Sequence, residues 1–327
     1  MRRTFQVCCC LVGLALFAPA TADAADKFPT FTTLIDAGDD YYFQGEYSGN
    51  TTTLGRVGLQ LIARGDGAYD AVLFVGGLPG DGWNRSEKYP LTGKREASML
   101  KVAGEGVTVE ANYGVATLRD PMRRQLGVLR RVNRVSPTMG LTPPRGAVVL
   151  FNGDGNLAQF DEKAKLSAQG NLREGTMTKE PVGDFRLHLE FRLPYMPTAS
   201  GQARGNSGVY IQQRYEVQVL DSFGLDGVHN ECGGLYKTKA PDVNMCLPPL
   251  VWQTYDIDFR AARFNAAGQK IADARITVVQ NGQTVQNNVA IPNKTGGGKP
   301  EGPDPLPILL QDHTNPVEYR NVWIVRR

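Results

Sequence analysis

The run Tyr215-Glu216-Val217-Gln218-Val219-Leu220-Asp221-Ser222 combines residue types that can hold a sugar hydroxyl and move a proton. On a strand, Glu216 and Gln218 share one face, while Tyr215, Val217 and Val219 share the other. The apolar set marks the core side. The carboxylate and the carboxamide therefore point out of the sheet, side by side. A carboxylate so placed can serve as a general base, and a neighbouring amide can fix a hydroxyl. A plain solvated strand face is the competing reading of the same pattern.

Two further clusters bear on this one. Gly205-Asn206-Ser207-Gly208 is a turn feeding a strand, where Asn206 can bond a ligand or its own backbone. Asp221 to Tyr236 forms a loop that carries Asp226, His229, Asn230, Glu231, Cys232 and Tyr236. Near the C-terminus, Leu309-Leu310-Gln311-Asp312-His313 is followed by Glu318 and Arg320. His313 is one of three histidines in the chain, and a hydrogen-bonded structural role is its bland alternative. No Gly-x-Ser-x-Gly elbow, HExxH or EF-hand pattern is present. Asp81, Asp221, Asp226 and Asp312 leave a hard-cation site open, without the spacing that argues for one.

The elements that must position these groups are strands. Phe185 to Leu193 places apolar residues at every odd position and charged or polar ones at every even position. That is the signature of a sheet with one core face and one wet face. Val209–Gln212, Tyr215–Leu220, Tyr255–Phe259, Arg275–Gln280 and Tyr319–Val325 repeat it, and Asn281-Gly282 marks a hairpin turn. Two packed antiparallel sheets are expected. A separate small β domain is read over residues 27–135, with strands at Val57–Ile62, Ala71–Val75, Val107–Tyr113 and Gly114–Leu118. Its loop Gly76–Trp83 is no phosphate loop, and Trp83 is expected to pack the domain edge or stack on a sugar. Residues 136–146 read as a Pro-rich, semi-rigid linker.

Bulk properties narrow the class. The 36 basic and 33 acidic residues are interspersed and the net charge is +3, which disfavours a nucleic-acid binder. The chain opens with Met1-Arg2-Arg3, an apolar run from Val7 to Ala18 and Ala22-Asp23-Ala24. This reads as a cleaved signal peptide over residues 1–24, and no other stretch is long and apolar enough to span a membrane. Export to a periplasmic or extracellular space is expected, with no transmembrane anchor after cleavage. Cys232 and Cys246 would then pair as one disulfide, two free thiols being the alternative. Oligomeric state is not legible.

The motifs of residues 147–327 also occur together in one family. Leu150-Phe151-Asn152-Gly153, Asn206-Ser207-Gly208-Val209-Tyr210, Tyr215 to Ser222, Gly233-Gly234-Leu235-Tyr236 and Trp252 to Ile257 appear in order. Asn281-Gly282, Leu310-Gln311-Asp312-His313 and Tyr319 to Ile324 complete the set. The segment resembles the bacterial 3-keto-disaccharide hydrolase domain. The resemblance implies an all-β fold, a concanavalin A-like or laminarinase-like jelly-roll β-sandwich, here preceded by the small β domain. It also implies an exported carbohydrate-active enzyme that cleaves a glycosidic bond of a 3-keto-glycoside.

The chemistry implied is base-assisted elimination followed by hydration, for which one base and donors around the C3 oxygen suffice. On that model Glu216 or His313 is the base. Asn206, Gln218, Tyr236, Gln311 and Arg320 would hold the ketone and hydroxyls of the carbohydrate ligand. No cofactor is called for with certainty; a divalent metal could polarise the ketone instead, with Asp221 and His313 as ligands. The alternative function is a non-catalytic carbohydrate-binding sandwich module.

Overall fold

A computed structural model describes residues 28–327. The signal-peptide reading of residues 1–24 lies outside them. Among the described residues no helix is long and apolar enough to cross a membrane.

Eight antiparallel strands close a barrel in simple chain order. They are β1 (Gly45–Thr51), β2 (Gly55–Gly65), β3 (Ala68–Val75), β4 (Lys88–Glu96), β5 (Met99–Gly104), β6 (Val107–Asn112), β7 (Val115–Arg119) and β8 (Gln125–Val132). The last strand pairs with the first, Ser48 opposite Arg130, so the barrel has no free edge. Alternation decides what fills it. Val57, Leu59, Leu61 and Ala63 of β2 point inward, and join Leu73, Leu100, Val102, Val109, Leu118 and Leu129 in a side-chain core. On the outward face of β2, Ile62 is buried because Gly224 of the second body packs against it, and Gln60 is buried with its Nε2 donating to Glu46 Oε1 at 2.9 Å.

That body is a sandwich of two antiparallel sheets. The larger contains β9 (Val148–Phe151), β10 (Leu172–Arg173), β12 (Phe185–Arg192), β15 (Trp252–Arg260), β18 (Ala274–Gln280), β19 (Gln283–Ile291) and β21 (Glu318–Arg326). Its order is β10-β21-β12-β15-β18-β19, with β9 also on β21. The smaller contains β11 (Thr176–Met177), β13 (Asn206–Ile211), β14 (Tyr215–Leu220) and β20 (Leu309–Leu310), in the order β11-β20-β13-β14. The short β16 (Arg263–Phe264) and β17 (Lys270–Ala272) make a separate ribbon. Phe185, Leu187, Leu189 and Phe191 from one sheet meet Val209, Ile211, Val217 and Val219 from the other in one continuous apolar core. Burying each such side chain stabilises by about 1.5–3 kcal/mol.

The second faces depart from the expected wet surface. On β12, His188 and Glu190 are buried, because residues 136–141 lie across them. Gly140 N–H donates to Glu190 Oε1 at 2.6 Å, Thr138 Oγ1 to Asp256 Oδ2 at 2.7 Å, and Asn321 Nδ2 to Leu141 O at 3.1 Å. The Pro-rich segment is thus docked by its polar groups rather than spanning solvent.

Cys232 and Cys246 are free thiols, both buried, which corrects the expected disulfide. The two thiols hydrogen-bond each other and have further partners. Cys232 Sγ lies 3.2 Å from Tyr255 Oη, and Cys246 Sγ lies 3.5 Å from Leu220 O.

Candidate active site

Register on the smaller sheet gathers the polar residues. Tyr210 stands opposite Glu216, and Gly208 opposite Gln218. Tyr210 also stands opposite Leu309 of β20, and Gln311 N–H continues that pairing by donating to Gly208 O at 2.8 Å. Directly opposed residues share a face, as do alternate residues of one strand. Asn206, Gly208, Tyr210, Glu216, Gln218 and Gln311 therefore lie on one side, and Val209, Val217 and Val219 on the core side.

Gly208 is the floor of this patch. A methyl group there would stand 2.6 Å from Glu216 Oε1 and 3.0 Å from Gln311 Oε1. Only glycine lets both side chains lean over that point.

Glu216 is covered rather than solvated, with 2% of its surface exposed. Beyond β14, residues 233–239 extend the sheet: Tyr236 N–H donates to Glu216 O at 3.2 Å, and Gln218 N–H to Gly234 O at 2.9 Å. Residues 295–298 lie over the carboxyl. Thr295 Oγ1 accepts from Glu216 N–H at 2.6 Å. A side chain at Gly296 would begin 2.5 Å from the Tyr236 ring and 3.5 Å from Glu216 Oε2. Burial pushes the Glu216 carboxyl up to about 7, against a hydrogen bond from the Tyr210 hydroxyl that favours the ionised form. Tyr210 itself is raised far above the usual phenol range by burial and by that carboxyl, so it stays a proton donor.

An amide network occupies the other side of the floor. Gln218 Nε2 donates to Gln202 Oε1 at 3.0 Å and to Asn230 O at 3.3 Å. Gln202 Nε2 donates to Asn230 O at 2.9 Å, and Asn206 Nδ2 to Gln202 O at 2.8 Å. Two buried acceptors are left without a protein partner on this face, Asn206 Oδ1 and Glu216 Oε2. A buried acceptor left unmade costs about 1–3 kcal/mol, so each is a seat for a donor from outside the chain. A polyol offers such donors.

The fold thus brings together Glu216, Gln218, Asn206, Gln311 and Tyr236. It places Arg320 away from them and engages Asp221 elsewhere. Arg320 faces outward on the larger sheet, on the far side of the sandwich core, opposite Glu190. Its Nε donates to Glu190 Oε2 at 2.7 Å, and its guanidinium lies 4.0 Å from the Trp252 ring. Its alternation on β21 excludes it from the Glu216 face. Asp221 is buried, its Oδ2 taken by Arg204 Nε at 2.6 Å, so it does not offer a free carboxylate to a metal. His313 is exposed and makes no hydrogen bond or ion pair to Glu216. No three His, Cys, Asp or Glu side chains among the described residues converge as a metal site would require. Trp83 packs edge-on against Phe74, ring centres 5.0 Å apart, and its Nε1 donates to Glu87 O at 3.1 Å.

Tyr210, Gly208, Gln202 and Thr295 are site residues that sequence reasoning did not single out. The first two were within reach. Asn206-x-Gly208-x-Tyr210 alternates with the same period as Glu216-x-Gln218, and the two strands are joined by a short turn. Gln202 and Thr295 come from loops distant in sequence and carry no such signal.

Residues 146–325 match the model of the 3-keto-alpha-glucoside-1,2-lyase-like domain. A search of curated proteins returns no match. Among solved structures, one similar chain is a candidate glycosyl hydrolase from Parabacteroides distasonis ATCC 8503, at 32% identity and TM-score 0.52. The match covers 56% of this chain and 85% of that one. A second candidate glycosyl hydrolase from the same organism matches at 17% identity and TM-score 0.40, over 56% of this chain and 94% of that one.

Proposed function

The chain belongs to the 3-keto-alpha-glucoside-1,2-lyase-like domain family, and from that membership we propose a carbohydrate-active enzyme that cleaves 3-keto-glycosides with Glu216 as its base. One observation carries the proposal. Glu216 is a buried carboxyl with a partnerless oxygen, on a glycine-floored sheet face lined by Asn206, Gln218 and Gln311.

The reaction follows from the ketone. A carbonyl at C3 acidifies the C2 proton. Glu216 takes that proton, and the C2–H electron pair delocalises onto the C3 oxygen as an enolate. The enolate collapses to a C1=C2 double bond and expels the C1 oxygen with its aglycone, which picks up a proton. Water can then add across the double bond, its oxygen to C1 and a proton to C2. A base near neutrality is suited to this, being ionised yet basic enough to act. Among the described residues the Gln311 carboxamide and the Tyr236 hydroxyl have no hydrogen-bond partner, and they are the donors free to hold the C3 oxygen. Asn206 Oδ1 accepts a sugar hydroxyl. The paired carboxylates of ordinary glycosidases are not required. Asp221, one of the two candidate metal ligands, is already taken by Arg204.

The jelly-roll reading of the sandwich and export to the periplasm or exterior belong to the same proposal. A purely binding module would present an open aromatic platform, and a buried carboxyl pushed up to about 7 does not fit that role. The test is aglycone release by residues 25–327 from 3-keto-glucosides and from the unoxidised glucosides. Release from the keto compounds alone supports the reading. Release from both, or binding without release, contradicts it.

A further inference from the structure

The family match begins at residue 146, so it leaves the barrel without a role. We infer that the barrel positions the sugar-holding amides of the site, acting through residues 222–231, with Ile62 and Lys88 as positioning residues. The inference rests on the reading of the Glu216 face as the working site.

The contact begins at Gly224. It has φ +80, and a methyl group there would stand 2.5 Å from Ile62 Cδ1 on the outer face of β2. Backbone and isoleucine are flush, and Ile62 is 1% exposed. Two residues on, the Asp226 carboxylate pairs with the Lys88 ammonium at the start of β4. The barrel thus grips the loop at two points, one by shape and one by charge.

From there the path to the site is short. Glu231 Oε2 accepts from Gly227 N–H at 2.6 Å and Val228 N–H at 3.1 Å, which staples the gripped turn to its own base. Ser222 Oγ accepts from Cys232 N–H at 2.9 Å and closes the loop from its other end. Between these lies Asn230, whose carbonyl oxygen receives both Gln202 Nε2 and Gln218 Nε2. Gln202 in turn holds Asn206. Every amide of the network therefore depends on where Asn230 O sits, and that point is set by a loop clamped to the barrel. Glu216 is also held from outside this loop, by Thr295 Oγ1 accepting from its N–H. Loosening the clamp should disturb sugar binding more than proton transfer.

The experiment uses the full chain with Ile62→Ala and Lys88→Ala, the conservative Ile62→Val and Lys88→Arg, and Lys101→Ala as a control. Lys101 is an exposed barrel residue remote from the loop in its contacts. Amide hydrogen exchange over residues 222–232 is followed by mass spectrometry, and KM and kcat are measured on a 3-keto-glucoside. Ile62→Ala should accelerate exchange in this segment by about tenfold, and Lys88→Ala, which breaks an ion pair exposed on its Asp226 side, by about two- to fivefold. Ile62→Ala should raise KM by about 5- to 10-fold and Lys88→Ala by about 2- to 5-fold, with kcat within about twofold in both. The conservative variants and the control should stay near wild type. Unchanged exchange in the alanine variants, or faster exchange with wild-type KM, overturns the inference. Absence of wild-type turnover would sink the proposed function alone, and the exchange comparison would then decide the coupling by itself.

Discussion

Tyr210 stands directly across the β13–β14 pair from Glu216, and its hydroxyl hydrogen-bonds the carboxyl that burial pushes up to about 7. The two effects oppose each other. Burial favours the neutral acid, while the phenol favours the carboxylate. Their balance leaves a base that changes charge near neutrality.

The first prediction is the pH profile. If Glu216 must be ionised to take the C2 proton, kcat/KM on a 3-keto-glucoside rises with pH and levels off above about 7. Tyr210→Phe removes the hydrogen bond that favours the anion, so the rise should move to higher pH. Initial rates from pH 5 to 9 on both proteins check this. A profile unmoved in the variant would detach Tyr210 from the titration.

A second prediction concerns stability. The carboxyl of Glu216 titrates higher folded than unfolded. Its contribution is therefore fully present below the unfolded value of 4.5 and is lost as pH rises through about 7. Glu216→Gln avoids that loss. It should melt higher than wild type at pH 8, by a stability difference on the order of 3 kcal/mol, with little difference at pH 4.5. Turnover should fall by about 1000-fold in the same variant. Thermal unfolding at the two pH values reads the first effect, and a variant no more stable at pH 8 would mean the carboxyl is not strained by burial.

Gly208→Ala is the third. The added methyl would meet Glu216 Oε1 at 2.6 Å and Gln311 Oε1 at 3.0 Å. Both are ends of flexible side chains, so the fold should survive while the base is displaced. A shift of this size should cost about 100-fold in turnover. Full activity would show that nothing binds over Gly208.

Arg320→Ala is the fourth and separates scaffold from site. Burial raises the Glu190 carboxyl, but hydrogen bonds from His188, Asn321, Arg320 and Gly140 N–H outweigh it and hold the group down at about 2. Removing one of these donors should cost roughly 2 kcal/mol of stability. KM and kcat should stay at wild type, since Arg320 is across the core from Glu216. A rise in KM at unchanged stability would return Arg320 to the substrate.

These four variants also mark what the chain makes legible. Strands, the outward set Glu216 and Gln218, and the core set Val217 and Val219 follow from period-two alternation alone. Gln311 and Asn206 could be named from their neighbours, but their meeting at Gly208 depends on register between strands about a hundred residues apart. Arg320 misleads for the same reason, because alternation gives a face without saying which sheet. The wet faces expected of β12 and β14 are covered, by residues 136–141 and 295–298, and no local pattern announces such a cover. On compartment logic Cys232 and Cys246 are expected as a disulfide; they do lie side by side, but as two buried thiols that hydrogen-bond each other.

The most direct test of Glu216 as the base on C2 is proton exchange there. A 3-keto-glucoside is incubated in deuterated water with wild type and with Glu216→Gln, and deuterium at C2 is read by NMR in residual substrate and hydrated product. The account predicts deuterium at C2 with wild type and only the background rate with the variant. Aglycone release by wild type with the original hydrogen retained at C2, or equal exchange by the two proteins, would contradict it.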